Sequence, residues 1–554
     1  MINQVNAVHA PCSGHGLRSR YDTLSSMLNA DQLNALDPAV RAYIEGLQTR
    51  LSASEQTIET TLAQIARKDQ EIHFRQTKID KLTLELAVLK RFRFGKRSEQ
   101  MTAEQRALFD ESMLTDVAAI EAELDELSSS PEAPATDTEK KKPAARRAAL
   151  PDHLPRREIR HEPENSQCRC GCALRRIGED VSEKLDYQPG QITVDRHIRG
   201  KWVCDECETF TQAPMPAHIV DKCIATPGLQ AHVIVSKYAD HLPLYRQESI
   251  LARNGLAIPR STLAQWAGMA GVRLQPLVDA MQRLMLTQPV LHADETPVPM
   301  LMPGKGSTHR AYMWCFASTA YSDTKLIVYQ FAEGRGSKHA FEFFGTQWKG
   351  TLVCDDYKGY EPIIESGVTE AGCMAHARRK FYDLYVANKS AIAKEAIDSI
   401  AQLYALESEV ATVDPDLRRQ IRQQKAKPIC DEFKKWLIDH LRQATEGTAL
   451  YKAIHYALNR WDVLVHYLDD GHVPIDNNHL ENRIRPITLG RNNWLFAGSL
   501  RGGQRAAAIM SLIQSAKLNG HDPFVYIRDV LERLPTQLNK DIEELLPHRW
   551  KPAE

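Results

Sequence analysis

Seven apolar residues recur every seven positions near the start of the chain: Ile44, Leu51, Ile58, Ile65, Ile72, Ile79 and Leu86. Mostly polar residues lie between them, and no proline occurs from 39 to 130. This spacing predicts one long helix with a coiled-coil seam. The competing reading is an amphipathic helix packed on its own protein. A second seam is apolar at Leu47, Leu82 and Leu89 but polar at Lys68 and Arg75, so pairing along it is imperfect. The helix runs into "KRFRFGKRSEQ" (90–100), a basic patch with interleaved phenylalanines that suits either DNA or a solvated turn.

Such a helix is a minor part of a 554-residue chain, which is long enough for about three or four domains. Hydrophobic residues make up 43% and charged residues 25%, as in soluble globular proteins. No apolar run approaches a membrane span, and "MINQVNAVHAPCSGHG" lacks the basic start and apolar core of a signal peptide. The expectation is a cytoplasmic protein with no membrane partner. The net charge of −1 hides an uneven distribution: 104–139 is acidic and 140–160 is basic. Between 128 and 150, Ser, Pro, Ala and charge replace any hydrophobic period, which reads as a linker.

Five of the eleven cysteines fall between 168 and 207. In a reducing compartment such clustering favours a metal over disulfides. Cys204 and Cys207 have the C-x2-C spacing of a zinc knuckle. Cys168, Cys170 and Cys172 alternate, so the partner pair is ambiguous, and His161 or His197 could substitute. The expected unit is a structural Zn²⁺ ribbon with four of the five cysteines as ligands. Its "RR" and "RHIRGKW" stretches suit DNA.

Residues 222–275 read as helical, with a break at Asn254-Gly255, then Pro259 and a cap at Ser261. That fits a helix-turn-helix as well as it fits an ordinary helical hairpin.

From 289 to 360 the period changes to that of strands. "PVLHADETPV", "RAYMWCFAST" and "KLIVYQFAEG" are followed by a helix-like "SKHAFEFFGTQW" and a further strand, "GTLVCDDYKGY". This makes an α/β layer. The first and last strands end in Asp294-Glu295 and Asp355-Asp356. Neighbours on a strand point to opposite faces, so one acid of each pair can face a common site. Carboxylates converging from two strands repel unless a cation lies between them, and paired Mg²⁺ ions on such ligands cut or join phosphodiesters. The plain alternative is that aspartates commonly cap strand ends.

"YMWCFAS", "LVCDDYKGY", "CMAHARRKFYD" and "IDNNHLENRIRPITLGRNNWLFAGSLRGGQRAA" resemble the DDE transposase of the insertion sequence 66 family of bacterial mobile elements. The likeness extends over the zipper-like helix, the cysteine-rich ribbon, "SKYADHLPLYRQESILARNGLAIPRSTLAQW" and the C-terminal tail. It implies a multidomain α+β protein with an RNase H-like α/β catalytic core. The acidic triad it implies is Asp294, Asp355 and Glu481, holding two Mg²⁺ or Mn²⁺ ions. Glu481 has two rival readings, an i,i+4 salt bridge with Arg485 and replacement by Asp476, which better suits a helix cap. Cys373-x2-His376 resembles a motif that follows the second aspartate in several DDE superfamilies. His376, Arg378 and Arg379 are read as facing phosphates. Arg491, Arg501 and Arg505 with Trp494 fit a cradle for the DNA backbone. Gly502-Gly503 lacks the lysine and spacing of a P-loop, which argues against nucleotide hydrolysis.

The expected division is an N-terminal helical region at 1–127, a disordered basic linker at 128–158, a zinc ribbon at 159–220 and a helical DNA-binding segment at 221–285. The core follows at 286–389, a helical insertion at 390–472, a core helix with the third acid at 473–500 and a helical tail at 501–554. The expected activity is cleavage of transposon ends and joining of the 3′-hydroxyls to target DNA. Expected partners are double-stranded DNA (terminal repeats and target), a second copy or more of this chain, and small accessory proteins of the same element. The rival class is a catalytically inactive protein that still binds DNA ends.

Overall fold

The computed structural model describes residues 37–94, 103–128, 150–152, 154–163, 167, 170–188, 190–219, 223–302 and 308–552. The end of the basic patch (95–100), most of the linker (129–149) and Cys168 lie outside these residues. The chain divides into two units, Met1–Leu82 and Thr83–Glu554.

Helix α1 spans Pro38–Phe94, 57 residues, as the seven-residue repeat and the missing prolines require. Leu51, Ile58, Ile65 and Ile72 are about half exposed or more, so this part of the apolar stripe is uncovered among the described residues.

The second unit begins with α2 (Ala103–Ser128). Rather than continuing an N-terminal helical region, α2 is buried in the main body, with Ala119 and Ile120 fully covered. Sheet one follows: β1 (Arg156–His161), β2 (Leu174–Gln188), β3 (Gln191–Cys204) and β4 (Phe210–Gln212). Its order is β1-β3-β2, with β4 also on β3. "RREIRH" is thus a strand parallel to β3, not the end of a linker.

Helices α3 (Pro227–Tyr238), α4 (Leu244–Arg253) and α5 (Arg260–Met285) come next. The break at Asn254-Gly255 is present. The cap is not Ser261, however: Arg260 opens α5, and its N–H donates to Glu248 Oε1 at 2.8 Å. Leu263, Ala264, Trp266, Ala267 and Ala270 of α5 are buried. The helix thus packs one face into the core, as both the helix-turn-helix and the helical-hairpin readings require. A β-carbon at Gly268 would stand 2.6 Å from the Thr115 carbonyl, so α2 and α5 touch backbone to backbone there.

The central sheet contains β5 (Val290–Leu301), β6 (Thr308–Ser318), β7 (Ile327–Ala332), β8 (Thr351–Cys354) and β9 (Thr369–Gly372). Short helices α6 (Ser337–Phe344) and α7 (Glu361–Glu365) connect its strands. The order is β7-β6-β5-β8-β9. β5, β6 and β7 are antiparallel, while β8 and β9 run parallel to β5. Period-two alternation divides its side chains between two cores. Leu291, Ala293, Leu352 and Cys354 enter the main core. Val290, Val353 and Ala371 enter a second core, shared with the helices that follow.

Those helices are α8 (Met374–Asn388), α9 (Ala391–Glu409), α10 (Pro415–Ile421), α11 (Lys427–Gln443), α12 (Ala449–Asn459) and α13 (Trp461–Val465). The chain then returns to the sheet through α14 (Asn478–Trp494), α15 (Leu500–Leu518) and α16 (Pro523–Arg533). Edge strand β7 is sealed by α15. Ser515 Oγ accepts the Ile327 N–H at 2.9 Å, and Ser511 Oγ accepts that of Tyr329 at 2.8 Å. A strand edge left open is a template for aggregation, and these hydroxyls occupy it. Among the described residues, no helix is long and apolar enough to cross a membrane.

Candidate active site and metal centres

His292 of β5 pairs with Val353 of β8. Asp294 and Asp355 each follow two residues later, so the two aspartates stand at one level, Asp355 just past the end of β8 and Asp294 inside β5, which does not end at its acid pair but runs on to Leu301. Counting in twos from Val290 and Val353 puts both on one face of the sheet. Asp294 Oδ1 accepts the Glu295 N–H at 2.8 Å, and Asp355 Oδ1 accepts that of Tyr357 at 3.1 Å.

Asp294 also carries an electrostatic record of its surroundings. Burial, then the charges of Glu295, Asp355 and Glu481, push its carboxyl up from 3.8 to about 8. The largest charge effects on it come from acids. Such a cluster is paid for in stability unless a cation joins it.

The other acid of each pair is occupied elsewhere. Glu295 is buried, accepting from Arg335 Nε at 2.6 Å and from the Tyr360 hydroxyl at 2.7 Å. Asp356 lies 3.3 Å from Arg460.

Glu481 is in the first turn of α14, which continues through Pro486. Its carboxylate turns towards α8 rather than Arg485: Oε2 is 3.4 Å from Arg379 Nη2, and Oε1 is 3.7 Å from His376 Nδ1. Asp476 is used locally. It accepts from the Tyr404 hydroxyl at 2.6 Å and the Asn478 N–H at 3.0 Å, which steadies the helix start.

Asn477 is the residue that the sequence reading undervalued. Its Nδ2 donates to the Ala293 carbonyl at 3.0 Å, its Oδ1 lies 2.6 Å from His292 Nδ1, and its N–H points at Cys373 Sγ at 3.3 Å. One side chain thereby fixes the start of the Glu481 helix to the strand that carries Asp294. Burial, with His479 nearby, pushes His292 down to about 3, so its ring is neutral and donates from Nδ1 to Asn477. The available signal was period two: His292 shares a strand face with Asp294.

The expected DNA contacts separate into two groups. Arg378, Arg379, Tyr382, Tyr404 and Asn478 line a cleft of 450 Å³ beside Glu481. Arg378 also lies over the Tyr382 ring, 5.7 Å from its centre. The C-terminal cradle, in contrast, is largely occupied. Arg505 is buried and paired with Asp116, and Arg501 is paired with Glu123 and, at 3.0 Å, with Glu85. Both guanidinia hold the body together and are not free for DNA. Arg491 Nη1 donates to the Pro297 carbonyl at 3.2 Å, and Trp494 packs against the core.

In sheet one, Cys170 Sγ is 3.6 Å from Cys204 Sγ and 3.7 Å from Cys207 Sγ. The Cys172 sulfur lies within 4.8 Å of those of Cys170 and Cys204. Thiolates about 2.3 Å from a tetrahedral Zn²⁺ would be separated by about 3.8 Å. Cys170, Cys172 and Cys204 therefore approach the spacing of such an ion, and Cys207 joins them through Cys170. His161 and His197 instead face each other, Nε2 to Nδ1 at 2.9 Å, and neither stands among these sulfurs.

Family models match along most of the chain. The model described as "Transposase IS66 family" matches residues 222–505, and "IS66 C-terminal element" matches 511–548. The chain belongs to the IS66 transposase family. Residues 165–208 of this transposase match the "zinc-finger binding domain of transposase IS66", over the cysteine cluster. Residues 81–159 match "Transposase C of IS166 homeodomain". Two relatives come from Sinorhizobium fredii. The uncharacterized protein y4qI is 35% identical over 93% of this chain and 97% of its own length. The uncharacterized protein y4jD is 37% identical over 73% of this chain and 81% of its own.

Proposed function

We propose that this transposase cuts the ends of its element and joins the freed 3′-hydroxyls to target DNA, with Asp294, Asp355 and Glu481 as the acidic triad. The carrying observation is that Asp294 and Asp355 share one level on adjacent strands while Glu481 acts on the Asp294 carboxyl. An all-carboxylate donor set suits Mg²⁺ or Mn²⁺. Two such ions supply a nucleophile from water or a 3′-hydroxyl and neutralise the leaving oxygen of an in-line displacement. The sheet order β7-β6-β5-β8-β9, with β8 and β9 parallel to β5, supports an RNase H-like core.

The chain's own contribution is placement. Asn477 fixes where Glu481 starts, and Arg378 and Arg379 present cationic groups beside it for a phosphate backbone. The uncovered stripe of α1 supports self-association, which brings two element ends into one complex.

The test is incubation of the full chain with duplex DNA carrying the element's own ends. Mg²⁺-dependent nicks that leave 3′-hydroxyls at the element boundary are expected. DNA that is bound at its ends but never cut would favour an end-binding protein without catalytic activity.

A further inference from the structure

Cys373, His376 and Glu481 stand together where the starts of α8 and α14 meet. Cys373 caps α8 and His376 lies in its first turn, where C-x2-H spacing lets sulfur and imidazole converge. Glu481 approaches from α14. One donor atom from each residue lies within 4.8 Å of those of the other two. His376 Nδ1 and Glu481 Oε1 are buried atoms with no hydrogen-bond partner, although they are 3.7 Å apart. Two orphaned polar atoms facing each other beside a buried sulfur are costly unless something joins them.

We propose that Cys373, His376 and Glu481 form a second metal site, selective for a thiophilic divalent cation such as Zn²⁺, which competes with the acidic pair for Glu481. Sulfur and imidazole donors favour zinc over Mg²⁺. The edges of a tetrahedral site with such ligands are about 3.3–3.6 Å, so the sulfur has to close in by no more than about 1.2 Å. Three protein ligands leave a fourth position open to water, unlike the closed four-ligand sites of structural zinc. Glu481 cannot serve both centres fully, so zinc at this site draws it away from Asp294 and Asp355. The competition rests on the triad reading above; the metal site does not.

The experiment uses the full chain and two readouts. Zinc content after loading and gel filtration should be about two ions per chain, one for the ribbon and one here, given that each ion needs its own set of ligands. Cys373→Ser keeps an acceptor for the Asn477 N–H and should retain about one, as should His376→Ala on its half-exposed helix face. Equal zinc content in wild type and both variants would overturn the site. In cleavage assays with Mg²⁺, added Zn²⁺ should inhibit wild type, and Cys373→Ser should need over about tenfold more, since even outer-shell changes cost that much in affinity. Equal zinc sensitivity of the two proteins would overturn the competition. If neither protein cleaves without zinc, the triad reading fails, and the zinc content alone still decides whether the site exists.

Discussion

Asn477 and His292 meet at 2.6 Å across the seam between α14 and β5, and this contact sets where Glu481 stands relative to Asp294. It is a contact between a helix start and a strand, with the second amide atom held by the Ala293 carbonyl. Truncation of Asn477 to Ala releases both. Cleavage should fall by about 10²-fold or more, because displacements of about 1 Å at a reacting centre have that effect. Stability should fall by about 1–3 kcal/mol, since buried His292 loses its partner. End binding should remain. A variant that cleaves at the wild-type rate would show that the seam does not position Glu481.

A second prediction concerns Asp294 when a chelator is present. An unfolded aspartate titrates near about 4, whereas the folded one is pushed up to about 8. Between those values the native state binds the extra proton, so its stability falls as pH rises through the window and levels off above it. Asp294→Asn should flatten that part of the profile and raise the melting midpoint at alkaline pH. Thermal unfolding of both proteins across the window checks this. Parallel profiles would mean that Asp294 is not buried among like charges.

Much of the central sheet was legible, because β5, β6 and β7 carry β-branched and aromatic residues at period two and β8 is a short apolar run. The four-residue β9, "TEAG", has no such signal and is recruited only because β8 offers it a parallel edge. The two acid pairs were visible, although β5 runs on to Leu301 past its pair instead of ending there. The fate of the basic residues was not. Arg501 and Arg505 look like a DNA surface in sequence, but acids of α1 and α2, far away along the chain, claim them. Charge pairing across such separations leaves no periodic trace. Likewise "RREIRH" follows a polybasic stretch and was read with it, whereas its pairing partner lies in β3.

That correction has its own test. Arg505 is buried against Asp116, so Arg505→Ala strands a buried carboxylate and should destabilise the fold by about 3–5 kcal/mol. Its effect on DNA affinity, measured below the unfolding transition, should be small, and the salt dependence of binding should be unchanged. Replacement of exposed Arg379 should do the reverse. A lower salt slope in Arg505→Ala with normal stability would restore it as a phosphate contact.

The stripe on α1 gives a prediction for the whole chain. Ile58 and Ile65 are 56% and 49% exposed, and lysine at both places like charges along the seam of any partner helix. Sedimentation should show an oligomer for wild type and a monomer for the double variant. An oligomer of unchanged size would locate self-association elsewhere.

The most direct measurement compares Asp294→Asn, Asp355→Asn, Glu481→Gln and Asp476→Asn for binding and Mg²⁺-dependent cleavage of the element's end DNA. The first three should bind the ends as wild type does and cut none of them. Asp476→Asn, whose carboxylate serves Tyr404 and the start of α14, should keep measurable cleavage. Full cleavage by Glu481→Gln, with Asp476→Asn inactive, would contradict the triad and the mechanism built on it.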